Sequence, residues 1–206
     1  MEQAPIVHVV DDDPSIRRAI AALLRSVGID SVTYESCSEF LDAEIAPVPS
    51  CLLLDVRLPG TSGLDFQNQL ASHGIDLPVI VITGHGDVPM SVQAMKAGAV
   101  DFLTKPFRDQ DLLDAVSAAV ERHARLLEAS GKIHELTRRY ETLSTREKQV
   151  MELVTAGRLN KQAAFDLGLS EITVKLYRAS AMKKMEARTL ADLVKMAEKL
   201  KIGAAA

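Results

Sequence analysis

Five short apolar runs, separated by longer amphipathic stretches, divide the first 124 residues of the chain. The runs predict β-strands at 5–10, 31–35, 50–55, 78–83 and 100–104. Three of them are apolar almost throughout, which is the pattern of strands buried on both faces of a parallel sheet. The other stretches have apolar positions three and four residues apart and predict helices at 14–27, 38–45, 63–72, 87–97 and 109–123. This alternation indicates an α/β fold with a doubly wound, five-stranded parallel sheet.

Polar side chains stand at the carboxyl ends of four predicted strands. They are Asp11 and Asp12 after the first strand, Asp55 at the end of the third, Thr83 at the end of the fourth, and Lys105 after the fifth. In an open α/β sheet, the ligand lies outside the carboxyl ends of the strands. Three carboxylates at close range require a neutralising cation, and Mg²⁺ prefers oxygen ligands combined with a phosphate. The pattern therefore predicts a magnesium-dependent phosphoryl-transfer site.

The position of each group suggests its role in this site. Asp55 stands alone at the end of the central strand and is the predicted nucleophile, because a carboxylate can form an acyl phosphate. Asp11 and Asp12 are predicted to hold Mg²⁺ together with Asp55, and the main-chain carbonyl of Arg57 is a further candidate ligand. The ammonium and hydroxyl groups at the neighbouring strand ends would neutralise and hydrogen-bond the phosphoryl oxygens.

Each of these groups also has a purely local explanation. The run Asp11–Asp13 precedes Pro14, so it can cap a helix and complement its dipole. Thr83-Gly84 can form a turn, and Lys105-Pro106 can mark the exit from a strand. Four strand ends with complementary groups are harder to explain separately than together, and phosphoryl transfer is therefore the favoured interpretation.

The formal charge of −4 is unevenly distributed. Residues 1–124 contain 8 basic and 18 acidic side chains, whereas residues 125–206 contain 16 basic and 10 acidic ones. The basic second half is a candidate for binding nucleic acid, although ordinary variation between the surfaces of two domains gives a similar imbalance.

The composition also bears on the compartment. The two cysteines, Cys37 and Cys51, lack metal-ligand spacing and suit a reducing cytoplasm. The first residues have no basic segment followed by a long apolar one, so no secretory signal peptide is expected. No apolar run approaches the ~18 residues of a membrane span. The sequence therefore predicts a cytoplasmic protein without a membrane partner.

A change to mixed charge with spaced apolar residues marks residues 121–143. The apolar positions alternate at three and four residues, as in the seam of a coiled coil: Leu126, Ala129, Ile133, Leu136, Tyr140 and Leu143. Two interpretations stay open, a helical linker at 123–142 that pairs with a second copy, and a single amphipathic helix that lies on its own domain. The linker would separate a domain at 1–122 from another at 143–206.

The last 64 residues predict four helices. Ser144 and Glu147 match a capping box for a helix that ends near Gly157. Asn160 is a candidate cap for a short helix that ends before Gly168, and further caps precede helices at 171–187 and 190–200. A short helix, a tight turn and a longer basic helix form a helix-turn-helix arrangement.

These motifs resemble a known family of proteins. The receiver domain of two-component response regulators is similar in the motifs Val9-Val10-Asp11-Asp12, Leu54-Asp55, Thr83 and Lys105-Pro106-Phe107. The stretches 83–90, 96–99 and 101–102 resemble the FixJ/StyR type, and residues 143–147, 160–161 and 173–175 resemble a LuxR-type helix-turn-helix. The resemblance implies that Asp55 accepts a phosphoryl group from a cognate histidine kinase, that Mg²⁺ is required, and that the Lys105–Pro106 peptide is cis.

The resemblance also implies a switch. Thr83 would move toward the phosphoryl group, and Phe102 would turn inward into the space left behind. The surface of residues 87–104 would then become a self-association face, for which the candidate contacts are Val88, Val92, Lys96, Ala99 and Asp101. The alternative is that Val92 and its neighbours only cover the sheet.

Periodicity places Ile172, Leu176 and Ala179 on one face of the third helix, and Val174, Ala181 and Met185 on the opposite face. The LuxR resemblance directs Lys175, Leu176 and Ala179 to the major groove of double-stranded DNA and the face of Val174, Ala181 and Met185 to the core. The implied DNA-binding residues are Asn160, Lys161, Thr173, Lys175, Leu176, Arg178 and Ala179; the alternative for the basic ones is solvated helix charge. The chain departs from the family pattern at four positions: Ala163, Tyr177, Ser180 and Ala181.

The sequence thus predicts a phosphorylation-controlled transcription factor rather than an enzyme. Phosphorylation would favour a homodimer, unless the linker helix already forms one. A magnesium-dependent phosphatase is the first alternative, but such enzymes commonly carry a carboxylate two residues after the nucleophile, where this chain has Arg57. The second alternative is an interaction module that binds a partner or DNA without phosphorylation and dimerises through its heptad seam.

Overall fold

The computed structural model of the protein describes residues 4–84 and 88–202. Two compact units divide between Glu128 and Ala129. The first unit contains a five-stranded sheet, a small hairpin and helices, and the second unit is helical. The motif residues 85–87, including the predicted start of the fourth helix at Asp87, lie outside the described residues.

The sheet is parallel throughout and confirms the predicted fold class. Its strand order is β2-β1-β3-β6-β7, and its strands are β1 (Ile6–Val10), β2 (Asp30–Tyr34), β3 (Ser50–Asp55), β6 (Val79–Thr83) and β7 (Asp101–Thr104). A small antiparallel hairpin, which sequence reasoning missed, follows the central strand: β4 (Arg57–Leu58) and β5 (Thr61–Ser62). From β1 the chain continues to β2 on one side of the sheet, and from β3 it continues to β6 on the other side. The strand order therefore reverses between β1 and β3, and ligands bind at such a switch point.

The helices of the first unit cover both faces of the sheet. Their bounds are α1 (Pro14–Ser26), α2 (Cys37–Leu41), α3 (Gly63–Gln69), α4 (Val88–Lys96) and α5 (Asp109–Glu141), with a 3₁₀ turn at Leu70–His73. All six residues of β3 are buried. Leu52 and Leu54 pack in the core shared with α2, α3 and α4, whereas Cys51 and Leu53 pack in the core shared with α1 and α5. Burial on both faces explains the continuous apolar run of this strand.

The second helix is shorter than predicted. It ends at Leu41, whereas the sequence predicted a helix over 38–45. Leu41, Ala43 and Ile45 are partly buried and pack against the core, whereas the intervening Asp42 and Glu44 are exposed. Side chains two residues apart share a face in extended backbone and not in a helix, so the segment after Leu41 leaves the helix to keep these apolar groups on the core.

Helix α5 is 33 residues long and includes most of the segment that the sequence assigned to a separate linker. Its last turns belong to the second unit, where Leu136 and Tyr140, together with the following Leu143, pack in the core. Leu126 and Ile133 are exposed. The second half of the heptad seam is therefore filled by the chain's own second unit, which supports the interpretation of an amphipathic helix for that half.

In the part of the second unit that the structure describes, four shorter helices follow: α6 (Thr145–Thr155), α7 (Asn160–Leu167), α8 (Glu171–Met185) and α9 (Leu190–Lys199). The predicted capping box of Ser144 and Glu147 is confirmed. Asn160 is not a cap, contrary to the prediction, because Leu159 precedes the helix and its N–H donates to the Gln162 side chain at 2.9 Å. Gly168 ends α7 with a φ of 64°, a conformation that favours glycine.

The core of the second unit decides which face of α8 points inward. Val174, Ala181 and Met185 are fully buried, and Tyr177 packs against them in part. The departures Ala163 and Ala181 are both fully buried, and nothing in the structure explains why alanine rather than a larger side chain stands there.

Candidate functional site

An ammonium group bridges two carboxylates at the carboxyl edge of the sheet. The Nζ atom of Lys105 donates to Oδ2 of Asp11 at 2.5 Å and to Oδ2 of Asp55 at 2.7 Å. Asp11 follows β1, Asp55 ends β3 and Lys105 follows β7, so three strands that are distant in sequence bring these groups together. The predicted convergence of the strand ends is therefore present. We name this group of side chains, with Asp12, the acidic pocket.

Burial and charge oppose one another in the acidic pocket. Asp11 is almost inaccessible to solvent, and burial raises the pKa of its carboxyl above the ordinary value, although the hydrogen bond from Lys105 acts in the opposite direction. Burial alone would lower the pKa of the Lys105 ammonium, but its hydrogen bonds to Asp11 and Asp55 outweigh this effect and raise that pKa. The site is thus built to hold one positive charge between two negative ones.

Three carboxylates of the acidic pocket can share a cation. One oxygen from each of Asp11, Asp12 and Asp55 lies within 4.8 Å of the other two. Asp12 is exposed, whereas the other two are buried. An all-oxygen donor set that is open to water on one side fits Mg²⁺, which retains several waters and takes one or two carboxylates. Arg57 contacts this site through its backbone N–H, which donates to Oδ1 of Asp55 at 3.0 Å.

Two further residues that the sequence predicted for this site lie on the strands β6 and β7. Thr83 is fully buried at the end of β6, and its carbonyl accepts a hydrogen bond of 2.7 Å from the Lys105 N–H. Phe102 on β7 is partly buried and packs against the core beneath α4. The Lys105–Pro106 peptide is cis, as the family resemblance implied.

Two supporting residues were missed by sequence reasoning. Gly63 begins α3 so close to β3 that an added Cβ would lie 2.1 Å from the Asp55 carbonyl oxygen. Only glycine permits this approach, because backbone atoms cannot move aside as a flexible side chain does. The Arg17 guanidinium donates to the Asp11 carbonyl oxygen at 2.6 Å and holds the end of β1. The sequence contains no local signal for either contact, since both depend on tertiary approach.

The predicted self-association face is only partly exposed to solvent. Val88, Val92 and Met95 are exposed on α4. Ala99 was predicted as a contact on this face, but it is only 5% exposed, so that prediction is wrong. Its side chain belongs to the core that covers the sheet. Met95, one turn before it, offers the exposed apolar surface instead.

The seven predicted DNA-binding residues lie on α7 and α8, and each is at least partly exposed: Asn160, Lys161, Thr173, Lys175, Leu176, Arg178 and Ala179. Arg178 on α8 donates to Asn160 on α7 at 3.4 Å, and Lys175 pairs with Glu171 at 3.1 Å. Ser170 caps α8 through the Thr173 N–H at 3.1 Å. We name the exposed residues in the first half of α8 the recognition face; they are Glu171, Ile172, Lys175, Leu176 and Ala179.

A buried carboxylate that the sequence predicted only as a cap joins α6 to α8. Glu147 is 5% exposed and accepts from the Ser144 N–H at 2.6 Å, from the Ser180 hydroxyl at 2.6 Å and from the Lys184 ammonium at 2.7 Å. These hydrogen bonds fix α8 against the rest of the unit. They also engage the ammonium group of Lys184, a basic residue near the end of α8.

Family comparisons agree with this architecture. Residues 7–117 match the family described as response regulator receiver domain, and residues 141–197 match the family of bacterial regulatory proteins, luxR family. Nodulation protein W of Bradyrhizobium diazoefficiens is 58% identical over 199 residues, covering 97% of this chain and 88% of the relative. The transcriptional regulatory protein FixJ of Azorhizobium caulinodans is 45% identical over 197 residues, covering 96% of this chain and 93% of the relative.

Solved structures give the same result. The low-resolution structure of the response regulator StyR has a TM-score of 0.82 and 44% identity, and the match covers 96% of this chain and all of that one. Full-length FixJ from B. japonicum has a TM-score of 0.57 and 36% identity, with coverage of 95% of this chain and 97% of that one.

A receiver unit with an acidic pocket, followed by a helix-turn-helix unit, defines a two-component response regulator. The chain belongs to the response regulators with a LuxR-type DNA-binding domain, which are phosphorylation-controlled transcription regulators and not enzymes. This confirms the predicted fold, family and general function. A receiver domain implies a kinase as partner, and a LuxR-type domain implies DNA. Among the residues that the structure describes, no helix is long and apolar enough to cross a membrane.

Proposed function

We propose that Asp55 is the phosphoacceptor of this regulator and that its phosphorylation by a cognate histidine kinase controls dimerisation and specific DNA binding in the cytoplasm. The observation that carries the proposal is the Lys105 ammonium held between Asp11 and Asp55. This arrangement places a fixed positive charge beside a carboxylate at a strand end, where negative charge would develop on a transferred phosphoryl group.

The proposed reaction requires little covalent work from the protein. A carboxylate oxygen of Asp55 forms a bond to phosphorus while the bond from phosphorus to the histidine nitrogen of the kinase breaks. Oδ1 of Asp55 is oriented by the Arg57 N–H at 3.0 Å, and Oδ2 is oriented by Lys105. The role of Lys105 and of the Thr83 hydroxyl is to neutralise and hydrogen-bond the phosphoryl oxygens.

Mg²⁺ is the proposed cofactor. Asp11, Asp12 and Asp55 would hold it, directly or through water, with the Arg57 carbonyl as a further ligand. When bound, the ion would neutralise phosphoryl charge and the mutual repulsion of the three carboxylates.

The proposed switch couples phosphorylation to self-association. Thr83 and Phe102 would change position together, because they lie on the adjacent strands β6 and β7, where Phe102 pairs with Val81, two residues before Thr83. The exposed apolar side chains of α4, Val88, Val92 and Met95, suit a face that becomes buried in a homodimer. The heptad seam offers less surface, since its second half packs within the chain itself.

The proposed DNA contacts lie on α7 and α8. Lys161, Thr173 and Arg178 would contact phosphates, together with Asn160, and Lys175, Leu176 and Ala179 would contact bases in the major groove. The net positive charge of residues 125–206, with 16 basic and 10 acidic side chains, supports this assignment.

DNA footprinting with and without acetyl phosphate and Mg²⁺ tests the proposed function. We expect paired protected half-sites whose protection increases when the phosphodonor and Mg²⁺ are both present, and a fall in affinity with rising salt. Chelation of Mg²⁺ should return the protection to the level without phosphodonor. Protection that ignores the phosphodonor, with an unchanged oligomeric state in sedimentation, would favour an interaction module instead.

Removal of the Lys105 ammonium should make the stability of the receiver depend on Mg²⁺. In a chelator, Lys105→Ala is expected to cost about 1–2 kcal/mol, because two buried carboxylates lose their shared partner while water can enter from the exposed side. Mg²⁺ should raise the melting temperature of this variant more than that of the parent chain. Differential scanning calorimetry gives the measurement.

The matched control for Lys105 is Lys96→Ala, which removes an exposed lysine from α4 of the same unit. Its response to Mg²⁺ should equal that of the parent chain. An equal Mg²⁺ response from all three proteins would mean that Lys105 and the metal do not share the acidic pocket.

A further inference from the structure

Two large aliphatic side chains stand out on the recognition face. Ile172 is 72% exposed and Leu176 is 67% exposed, and they lie one turn apart on α8. Side chains at this spacing share one face of a helix and form a continuous apolar surface. Exposure of two such groups in water is unfavourable by itself, so a partner that covers them would gain the burial free energy.

The remaining exposed chemistry of the first half of α8 is sparse. Glu171, Lys175 and Ala179 complete the exposed positions there. Lys175 pairs with Glu171, and Arg178, which is partly buried, donates to Asn160 on α7. Over Glu171–Ala179, the exposed positions include no arginine, asparagine or glutamine, and Lys175, the exposed side chain there that can donate to guanine, is paired with Glu171.

Double-stranded DNA is the partner that fits this surface. The LuxR-type family match covers α8, and residues 125–206 carry 16 basic against 10 acidic side chains. Within the major groove, the apolar group that the bases present is the C5-methyl of thymine. Aliphatic side chains recognise that methyl by contact and burial rather than by hydrogen bonding.

We propose that Ile172 and Leu176 form an apolar reading pair that selects thymine methyl groups in each operator half-site. The proposal rests on the proposed DNA-binding function and deepens it, since it adds Ile172 to the contacts and gives the kind of base that is read. Specificity would then come chiefly from shape and methyl contacts, while the basic residues that contact phosphates, Lys161 and Arg178, supply affinity that is independent of sequence.

Replacement of thymine by deoxyuridine tests the proposal, because it removes only the methyl group. The protected half-site from footprinting is synthesised with one thymine replaced at a time, and the affinity of the phosphorylated full chain is measured by fluorescence anisotropy at fixed salt. We expect a loss of about three- to tenfold at one or two positions of each half-site. The other thymine positions should show no loss.

Variants of the reading pair complete a double-mutant cycle. Ile172→Ala and Leu176→Ala should each weaken binding to the parent duplex and abolish the penalty at the methyl that the lost side chain contacts. The matched control is Phe165→Ala, which truncates an 88% exposed apolar side chain on α7 and should retain the full penalty. Circular dichroism of each variant checks that α8 remains folded.

The outcomes separate the inference from the function on which it rests. The chain could protect specific sites while its affinity is unchanged by deoxyuridine at every position. That result overturns the reading pair and leaves the proposed function intact. A penalty that persists in both Ile172→Ala and Leu176→Ala has the same meaning. A chain that gives no footprint under any condition overturns the proposed function and the inference together.

Discussion

Asp55→Asn is expected to lose phosphoryl uptake from acetyl phosphate by more than about 1000-fold, because the amide that replaces the carboxylate is not a competent nucleophile. The substitution should not unfold the receiver. Asparagine keeps an oxygen that can accept from the Arg57 N–H or from Lys105, and it removes one of two buried like charges. The measurement is the intact mass of the full chain after incubation with acetyl phosphate and Mg²⁺.

The matched control for this substitution is Asp13→Asn. Asp13 lies two residues after Asp11 but is exposed, and it caps α1 by accepting from the Ser15 N–H at 2.7 Å. Asparagine caps helices as well as aspartate does, so both stability and phosphoryl uptake should stay at the parent level. Normal uptake by Asp55→Asn would refute the assignment of the phosphoacceptor, and peptide mapping would then show which other carboxylate carries the phosphoryl group.

The acidic pocket could be predicted from the sequence because its position follows from topology. Each contributing strand has a strong apolar signal, and parallel strands present their carboxyl ends at one edge of a sheet, so Asp11, Asp55 and Lys105 had to converge once the strands were correct. Gly63 gave no such signal. Its necessity arises from the distance between α3 and the end of β3, which no local pattern encodes.

The seam of α5 shows a different limit. A three-and-four spacing of apolar residues indicates that one face of a helix is covered, but not which surface covers it. Leu136 and Tyr140 are covered by the chain's own second unit, whereas Leu126 and Ile133 are not. Residues of one sequence pattern thus lie in two different environments, buried and exposed, and only the tertiary structure distinguishes them.

Glu147 combines a local role that the sequence predicted with a tertiary role that it did not. The spacing from Ser144 to Glu147 indicates a capping box, which the structure contains. Its other partners, Ser180 and Lys184, lie more than 30 residues further along the chain. Because one buried carboxylate satisfies donors from both α6 and α8, it holds the recognition helix in place.

Loss of this carboxylate should therefore destabilise the DNA-binding unit. Glu147→Ala is expected to lower the free energy of unfolding by about 2–4 kcal/mol, because it leaves three donors without their acceptor. Hydrogen exchange of the full chain should increase in peptides from α6 and α8, while peptides from the receiver sheet serve as an internal reference. The control is Glu152→Ala, an exposed glutamate on the same helix, which should leave exchange unchanged. Parent-level protection in Glu147→Ala would contradict the assigned role.

The pH dependence isolates the charge of Glu147 from its shape. Burial alone would raise its pKa, but hydrogen bonds from Lys184, Ser180 and Ser144 lower the pKa of this carboxyl to about 2, from an ordinary value of 4.5. A carboxyl with a lower pKa in the folded state stabilises the fold above its unfolded pKa, and this contribution is lost as the pH falls from about 4.5 toward 2.

Glu147→Gln is the variant that measures this contribution, since the amide keeps the size of the side chain without its charge. Above about pH 5, the parent chain should be more stable than Glu147→Gln by a constant amount, and below that pH the difference should shrink. Thermal unfolding followed by circular dichroism gives the difference directly, because the receiver unit is identical in both proteins and cancels. A difference that stays constant down to pH 3 would mean that the contacts of Glu147, and not its charge, hold α8 in place.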